Sequence, residues 1–147
     1  MAVDRKLLDL ARRRPWALRF DDALDLCRAL GFQKVRQVRA HRVFRHPARL
    51  GRPFNLQQGT RGRAKAWQIG RLLDPDAPPR AGLPQQRQDG RAYHVSWSEV
   101  DGECVATCAE LPGLSGLAPT PERAIAELRV AIDAWLDYVA ASAAPRA

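Results

Sequence analysis

The sequence predicts an α+β protein made of two small units joined by a proline-rich linker. Helical and strand-like apolar patterns alternate in both parts of the chain, and residues 74–90 hold four prolines and two glycines. The net charge of +8 is unevenly spread: residues 1–73 carry 18 Lys and Arg against 5 Asp and Glu, whereas residues 91–147 carry 4 against 8. This asymmetry predicts a polyanionic partner, most simply nucleic acid, and an acidic unit that can cover the basic one. We call residues 1–73 the front unit and residues 91–147 the back unit.

The front unit begins with two predicted helices. Residues 3–13 place leucines at helical spacing. The second helix is predicted to start at Phe20, with an aspartate cap and an acidic first turn supplied by Asp21 and Asp22. Gly31 suits the position after its C-terminus, where a left-handed backbone is common.

A basic β-hairpin is predicted over residues 33–46, because two strand-like runs flank the pair Arg39-Ala40. If Phe44 faces the core, His41 faces the opposite side of the sheet. The side chains around His41 are Lys34, Arg36, Arg39, Arg42 and Arg45. An imidazole among fixed positive charges suits phosphodiester chemistry, and a neighbouring guanidinium is expected to lower its pKa. The alternative is a solvated basic surface.

The front unit is predicted to end with a third strand and a third helix. Residues 53–57 alternate Phe54 and Leu56 with Asn55 and Gln57, and residues 63–73 follow a helical pattern. Helices packed on one face of a small antiparallel sheet leave its other face open.

The segments LCRALGFQKVRQVRAHRVFRHP, FNLQ and GRAKAWQIGRLL resemble the HicA family of bacterial toxins over most of the front unit. The resemblance implies a fold similar to double-stranded-RNA-binding domains and metal-independent RNA cleavage through the His of a Gly-Ser-His motif. Here Arg39-Ala40-His41 occupies that motif, so His41 is the implied catalytic residue. The five basic hairpin residues would then hold the RNA phosphates. Arginine and alanine replace the family's Gly and Ser, which strains the turn and removes a hydroxyl.

The back unit is predicted to have three strands followed by one long helix. The strands are expected over residues 93–99, 104–110 and 113–117, with Asp101-Gly102 in the first turn. Thr120 caps the helix. Its apolar stripe comprises Ile125, Leu128, Ile132, Trp135, Leu136 and Val139.

The segments YHVSWSEVDGECVATCAELPGLSG and TPERAIAELRVAIDAWL resemble the HicB antitoxin family across residues 91–140. This resemblance implies a small β-β-β-α unit that binds HicA and blocks its active surface. HicB proteins often carry a further DNA-binding domain. Because none follows the helix in this sequence, operator binding by this polypeptide alone is not expected.

Two functions from different classes remain open at this point. The first is an mRNA-cleaving toxin fused to its own antitoxin, and the second is a non-catalytic RNA-binding protein that keeps the toxin fold. Docking of the two units is expected either within one chain or swapped between two chains, which would give a homodimer. No cofactor or metal is expected, and a cytoplasmic location follows from the lack of a signal region or membrane-spanning run.

Overall fold

The described residues fold into two antiparallel sheets and four α-helices, which confirms the predicted α+β class. The structure, a computed structural model, describes residues 4–49, 52–78 and 81–143. The front unit contains α1 (Arg5–Arg13), α2 (Phe20–Ala29), β1 (Gln33–Val38), β2 (His41–Arg45), β3 (Phe54–Gln57) and α3 (Ala66–Leu73). The rest of the chain contains β4 (Gln86–Gln88), β5 (Arg91–Ser98), β6 (Glu103–Cys108), β7 (Ser115–Ala118) and α4 (Pro121–Ala143). Each sheet keeps its strands in chain order.

The two ends of α2 compare differently with the sequence prediction. The residue before the helix is Arg19, whose side chain makes no capping bond, so the predicted aspartate cap is wrong. Both aspartates lie in the first turn, where their charge still complements the helix dipole. The glycine at the other end is confirmed. Gly31 has φ of +98°, and the following N–H, of Phe32, donates back to the Cys27 carbonyl and closes the helix.

The basic hairpin forms as predicted, with Val38 paired to His41 across the Arg39-Ala40 turn. Phe44 packs into the front core, as the alternation requires, while His41 lies on the other face of the sheet. Arg39 has φ of +52°, a left-handed conformation that a glycine would adopt without strain.

Strand β4 was not predicted, because it lies inside the presumed linker and has no apolar alternation. It pairs with β5 in an antiparallel hairpin, with Gln86 opposite Tyr93 and Gln88 opposite Arg91. The turn between the strands is Asp89-Gly90, and both residues have positive φ, of 52° and 75°. An Asp-Gly pair is a strong hairpin signal, and it was the one local feature that could have revealed this strand.

Two apolar cores flank the front sheet. One lies between that sheet and helices α1 to α3 and contains Phe44 and Leu56. The other lies between α4 and the back sheet, and Val43 of β2 contributes to it. Helix α4 therefore also packs on β1 and β2. As a result, the face of the front sheet that its own helices leave open is covered by the back unit.

The apolar stripe of α4 is buried only along its first part. Leu128 and Ile132 are buried, whereas Leu136 and Val139 are about two-fifths exposed, so the predicted stripe is wrong at its C-terminal end. β7 approaches the helix closely at Gly116, where a Cβ would lie 2.2 Å from the Leu128 nitrogen. Within the described ranges, no helix is both long and apolar enough to cross a membrane.

Candidate functional site

His41, the residue singled out by the sequence, is completely buried under α4. It is the first residue of β2, and its ring points toward the helix that covers the sheet. Its Nε2 lies 2.7 Å from Oε2 of Glu127, a side chain of α4 that remains about one-third exposed. Nothing in the sequence pattern singles out Glu127, which lies between apolar positions of the helical stripe.

The other ring nitrogen of His41 is held by Asn55 of β3. The Asn55 Oδ1 accepts from the Ser115 N–H at 2.8 Å, which leaves Nδ2 to donate to the Ser115 carbonyl at 3.0 Å and to His41 Nδ1 at 3.1 Å. Because Nδ1 accepts this bond, the proton of a neutral ring resides on Nε2 and is donated to Glu127. The backbone of β7 thus determines the tautomer of His41 by fixing the orientation of the Asn55 side-chain amide.

Gln57 repeats the same arrangement one pleat further along β3. Its amide donates to the Leu117 carbonyl and accepts from the Leu117 N–H, both at 2.9 Å. Gln68 of α3 joins this network by donating to the Ser115 hydroxyl at 2.8 Å. β7 is an edge strand, and these amides take the place of a neighbouring strand for its outer N–H and C=O groups.

The pKa of His41 is lowered from its ordinary value of 6.5. Burial is the largest cause, because a charged ring loses its hydration there. The bond to Glu127 and its negative charge act in the opposite direction, and Arg39 and Arg42 add to the lowering. The sequence predicted this direction from the neighbouring guanidinium alone, whereas the dominant cause is the covering unit.

The lowered pKa of His41 predicts that the protein loses stability in mildly acidic solution. The unfolded chain binds the imidazole proton near pH 6.5, whereas the folded protein binds it only at lower pH. Below pH 6.5 the free energy of unfolding should therefore fall with pH, by at most about 1.4 kcal/mol per pH unit for this group. Urea unfolding between pH 7.5 and 5 measures the slope. The His41→Gln variant should have a shallower slope, and equal slopes would contradict the assignment.

The five basic residues of the hairpin are not gathered around His41. Lys34, Arg36 and Arg39 are exposed, and Arg45 bonds to the Gln33 side chain at 2.9 Å. Arg42 lies on the face opposite His41, with its guanidinium carbon 5.3 Å from the centre of the Phe20 ring.

A second contact between the units lies at the start of α3. The Asp101 carboxylate accepts from the backbone N–H groups of Ala66 and Trp67, at 2.8 and 2.9 Å. Lys65 forms an ion pair with Glu103 beside it. Asp101 was predicted only as a turn residue, but it also caps a helix of the other unit.

The backbones of the two units also approach closely at Gly113, in the loop before β7. A Cβ at this position would lie 1.8 Å from the Pro53 carbonyl oxygen, next to β3. Only glycine fits this contact without a backbone shift.

Comparisons of the chain with protein-family models, with curated proteins and with solved structures give no match. Within residues 4–49, 52–78 and 81–143, no group of three or more His, Cys, Asp or Glu side chains is placed to hold a metal ion.

Proposed function

We propose that this chain is a toxin–antitoxin fusion of the HicA–HicB type. The front unit would be a metal-independent ribonuclease acting on mRNA, and the back unit would mask it in cis. The observation that carries the proposal is the position of Glu127. Its carboxylate oxygen lies 2.7 Å from Nε2 of a histidine with no exposed surface, so no RNA atom can reach that ring while α4 is in place.

The chemistry would be general acid–base cleavage by His41 once α4 has moved away. A neutral imidazole takes the proton of a ribose 2′-OH, whose oxygen attacks the adjacent phosphorus, or an imidazolium gives a proton to the departing oxygen. Opening removes the burial and the Glu127 bond, whereas Arg39 and Arg42 remain and still lower the pKa of His41, which favours the first role.

The proposal is tested by opening the contact between the units in the full chain. Gly113→Leu puts a side chain against the Pro53 carbonyl, and overpacking of this kind costs about 1–3 kcal/mol. The open fraction, and with it RNA cleavage in EDTA, should rise by about 5- to 150-fold. Gly70→Ala is the matched control, because a Cβ there meets no atom within 4 Å.

A second variant opens the same contact at a different position, so that the result does not depend on the Gly113 substitution alone. Glu127→Arg removes the carboxylate that lies 2.7 Å from His41 Nε2 and leaves the buried ring without this partner, so it should also loosen the contact and raise cleavage. If both variants loosen the contact, as measured by faster amide hydrogen exchange in β7, and neither cleaves RNA, the ribonuclease proposal fails.

The alternative is a non-catalytic RNA-binding protein with the same fold. The observation that favours it is the turn before His41, where Arg39 occupies a left-handed conformation and Ala40 offers no hydroxyl. An opened chain that binds RNA without cleaving it would support this alternative.

A further inference from the structure

One end of the front sheet gathers arginines that lie far apart in the sequence. The tip of the β1–β2 hairpin, the loop between β3 and α3, and the residue preceding α2 meet there. We call this set the arginine cluster: Arg19, Arg39, Arg42, Arg61 and Arg63.

Backbone contacts hold the three segments of the arginine cluster together. The Gln58 N–H donates to the Ala40 carbonyl at 2.8 Å, which ties the end of β3 to the hairpin turn. The Gly59 N–H donates to the Arg63 carbonyl at 2.9 Å, and Arg63 forms a β-bridge with Arg19.

Side-chain positions agree with this placement. A terminal guanidinium nitrogen of Arg19 lies 3.8 Å from the Cβ position of Gly62, between Arg61 and Arg63. The Arg42 guanidinium lies over the ring of Phe20, the residue next to Arg19, and donates to the Arg39 carbonyl at 3.3 Å.

Two members of the arginine cluster occupy strained backbone positions. Arg39 and Arg61 have φ of +52° and +58°, where a non-glycine residue costs about 1 kcal/mol or more. Backbone strain of this kind clusters at functional sites. A glycine at either position would adopt the same backbone conformation without strain. The arginine side chains themselves are therefore the feature to explain.

The back unit leaves the arginine cluster accessible while it buries His41. Arg19, Arg39, Arg61 and Arg63 are exposed, and Arg42 is half-buried. In the part of the chain that the structure describes, none of the five forms an ion pair. The side-chain hydrogen bonds that Arg42 and Arg63 donate go to backbone carbonyl oxygens, so the positive charge is left uncompensated.

The nearest acidic residues do not neutralise the arginine cluster. Asp21 and Asp22 follow Arg19 in the first turn of α2, and Glu127 is engaged by His41. Asp101 and Glu103 line a cavity with Arg63, but Asp101 caps α3 and Glu103 pairs with Lys65. No carboxylate of the described residues forms an ion pair with these five guanidinium groups, so this end of the sheet keeps a positive charge.

We propose that the arginine cluster binds the phosphodiester backbone of RNA while the back unit still covers His41. Guanidinium groups match phosphate oxygens in charge and in hydrogen-bonding geometry. The inference rests on the proposed function only in taking RNA as the nucleic acid. Binding and cleavage would then use separate surfaces. The protein would already be bound to RNA when the contact between the two units opens.

The test removes the two strained arginines from the full chain. The double variant Arg39→Gly with Arg61→Gly loses two charges and relieves strain, so its fold should be retained. The matched control, Arg87→Ala with Arg123→Ala, removes two exposed arginines elsewhere. Fluorescence anisotropy with a labelled single-stranded RNA, at several salt concentrations in EDTA, measures binding. The affinity should fall roughly tenfold further than in the control, and the salt slope should drop by about 1.4.

A strand of the same sequence with 2′-deoxyribose should show the same loss, because the guanidinium groups contact phosphates. Equal RNA affinity and salt slope in the double variant and its control would overturn the inference. Failure of the ribonuclease proposal is a separate result, because it is read from cleavage by the Gly113→Leu chain and leaves this binding measurement unchanged.

Discussion

Replacing His41 with alanine in the Gly113→Leu chain is expected to reduce RNA cleavage by about 10²–10⁴-fold, the usual contribution of a positioned general acid or base. RNA affinity should change little, because one neutral imidazole contributes little beside many arginines. Single-turnover cleavage and anisotropy on the same RNA separate the two effects. His94→Ala, a histidine of β5 in the back unit, is the control and should cleave like its parent.

Restoring the family motif sharpens this test. Arg39→Gly with Ala40→Ser, made in the opened chain, relieves the left-handed arginine and returns a hydroxyl next to His41. If His41 is active, cleavage should rise when it is measured at saturating RNA, where the loss of the Arg39 phosphate contact does not enter the comparison. If the opened chain and its restored form both fold, bind RNA and fail to cleave it, then the binding-protein alternative is the correct one.

Asn55→Leu is expected to be the most destabilising single substitution in the contact between the units. The two side chains are similar in size, but leucine leaves the Ser115 N–H, the Ser115 carbonyl and His41 Nδ1 without their partner. An unsatisfied buried polar group costs about 1–3 kcal/mol. The free energy of unfolding in urea should therefore fall by about 3–5 kcal/mol.

Gln58→Leu is the matched control, since Gln58 is the exposed neighbour of β3 and its only bond here is a backbone one. It should change the free energy of unfolding by less than about 0.5 kcal/mol. An Asn55→Leu chain as stable as this control would mean that water satisfies the same groups, and that the amide does not hold the units together.

Local patterns in the sequence predicted the framework of the candidate site well. The two-residue hairpin turn and the alternation on β2 are short-range features, and together they place Phe44 inward and His41 on the opposite face. The long helix of the back unit follows from its periodic apolar residues and its Thr120 cap, which accepts from the Arg123 N–H at 3.3 Å.

The partners of that framework could not be predicted, because they are distant along the chain. Asn55 and its backbone partner Ser115 are 60 residues apart, and His41 and Glu127 are 86 residues apart. Nothing in the local pattern distinguishes a polar strand face that meets solvent from one that meets another strand's backbone. The same limit explains why Asp101 was predicted as a turn residue and not as the cap of α3.

The capping of α3 by Asp101 has a consequence for the protein during its synthesis. The ribosome completes the front unit first, but the N–H groups of Ala66 and Trp67 receive their carboxylate only when Asp101 has emerged. At about 5–20 residues per second, the roughly 30 intervening residues take a few seconds to make. An eight-residue helix is marginal without such help. The nascent front unit is therefore least well ordered before the back unit, which buries His41, has been synthesised.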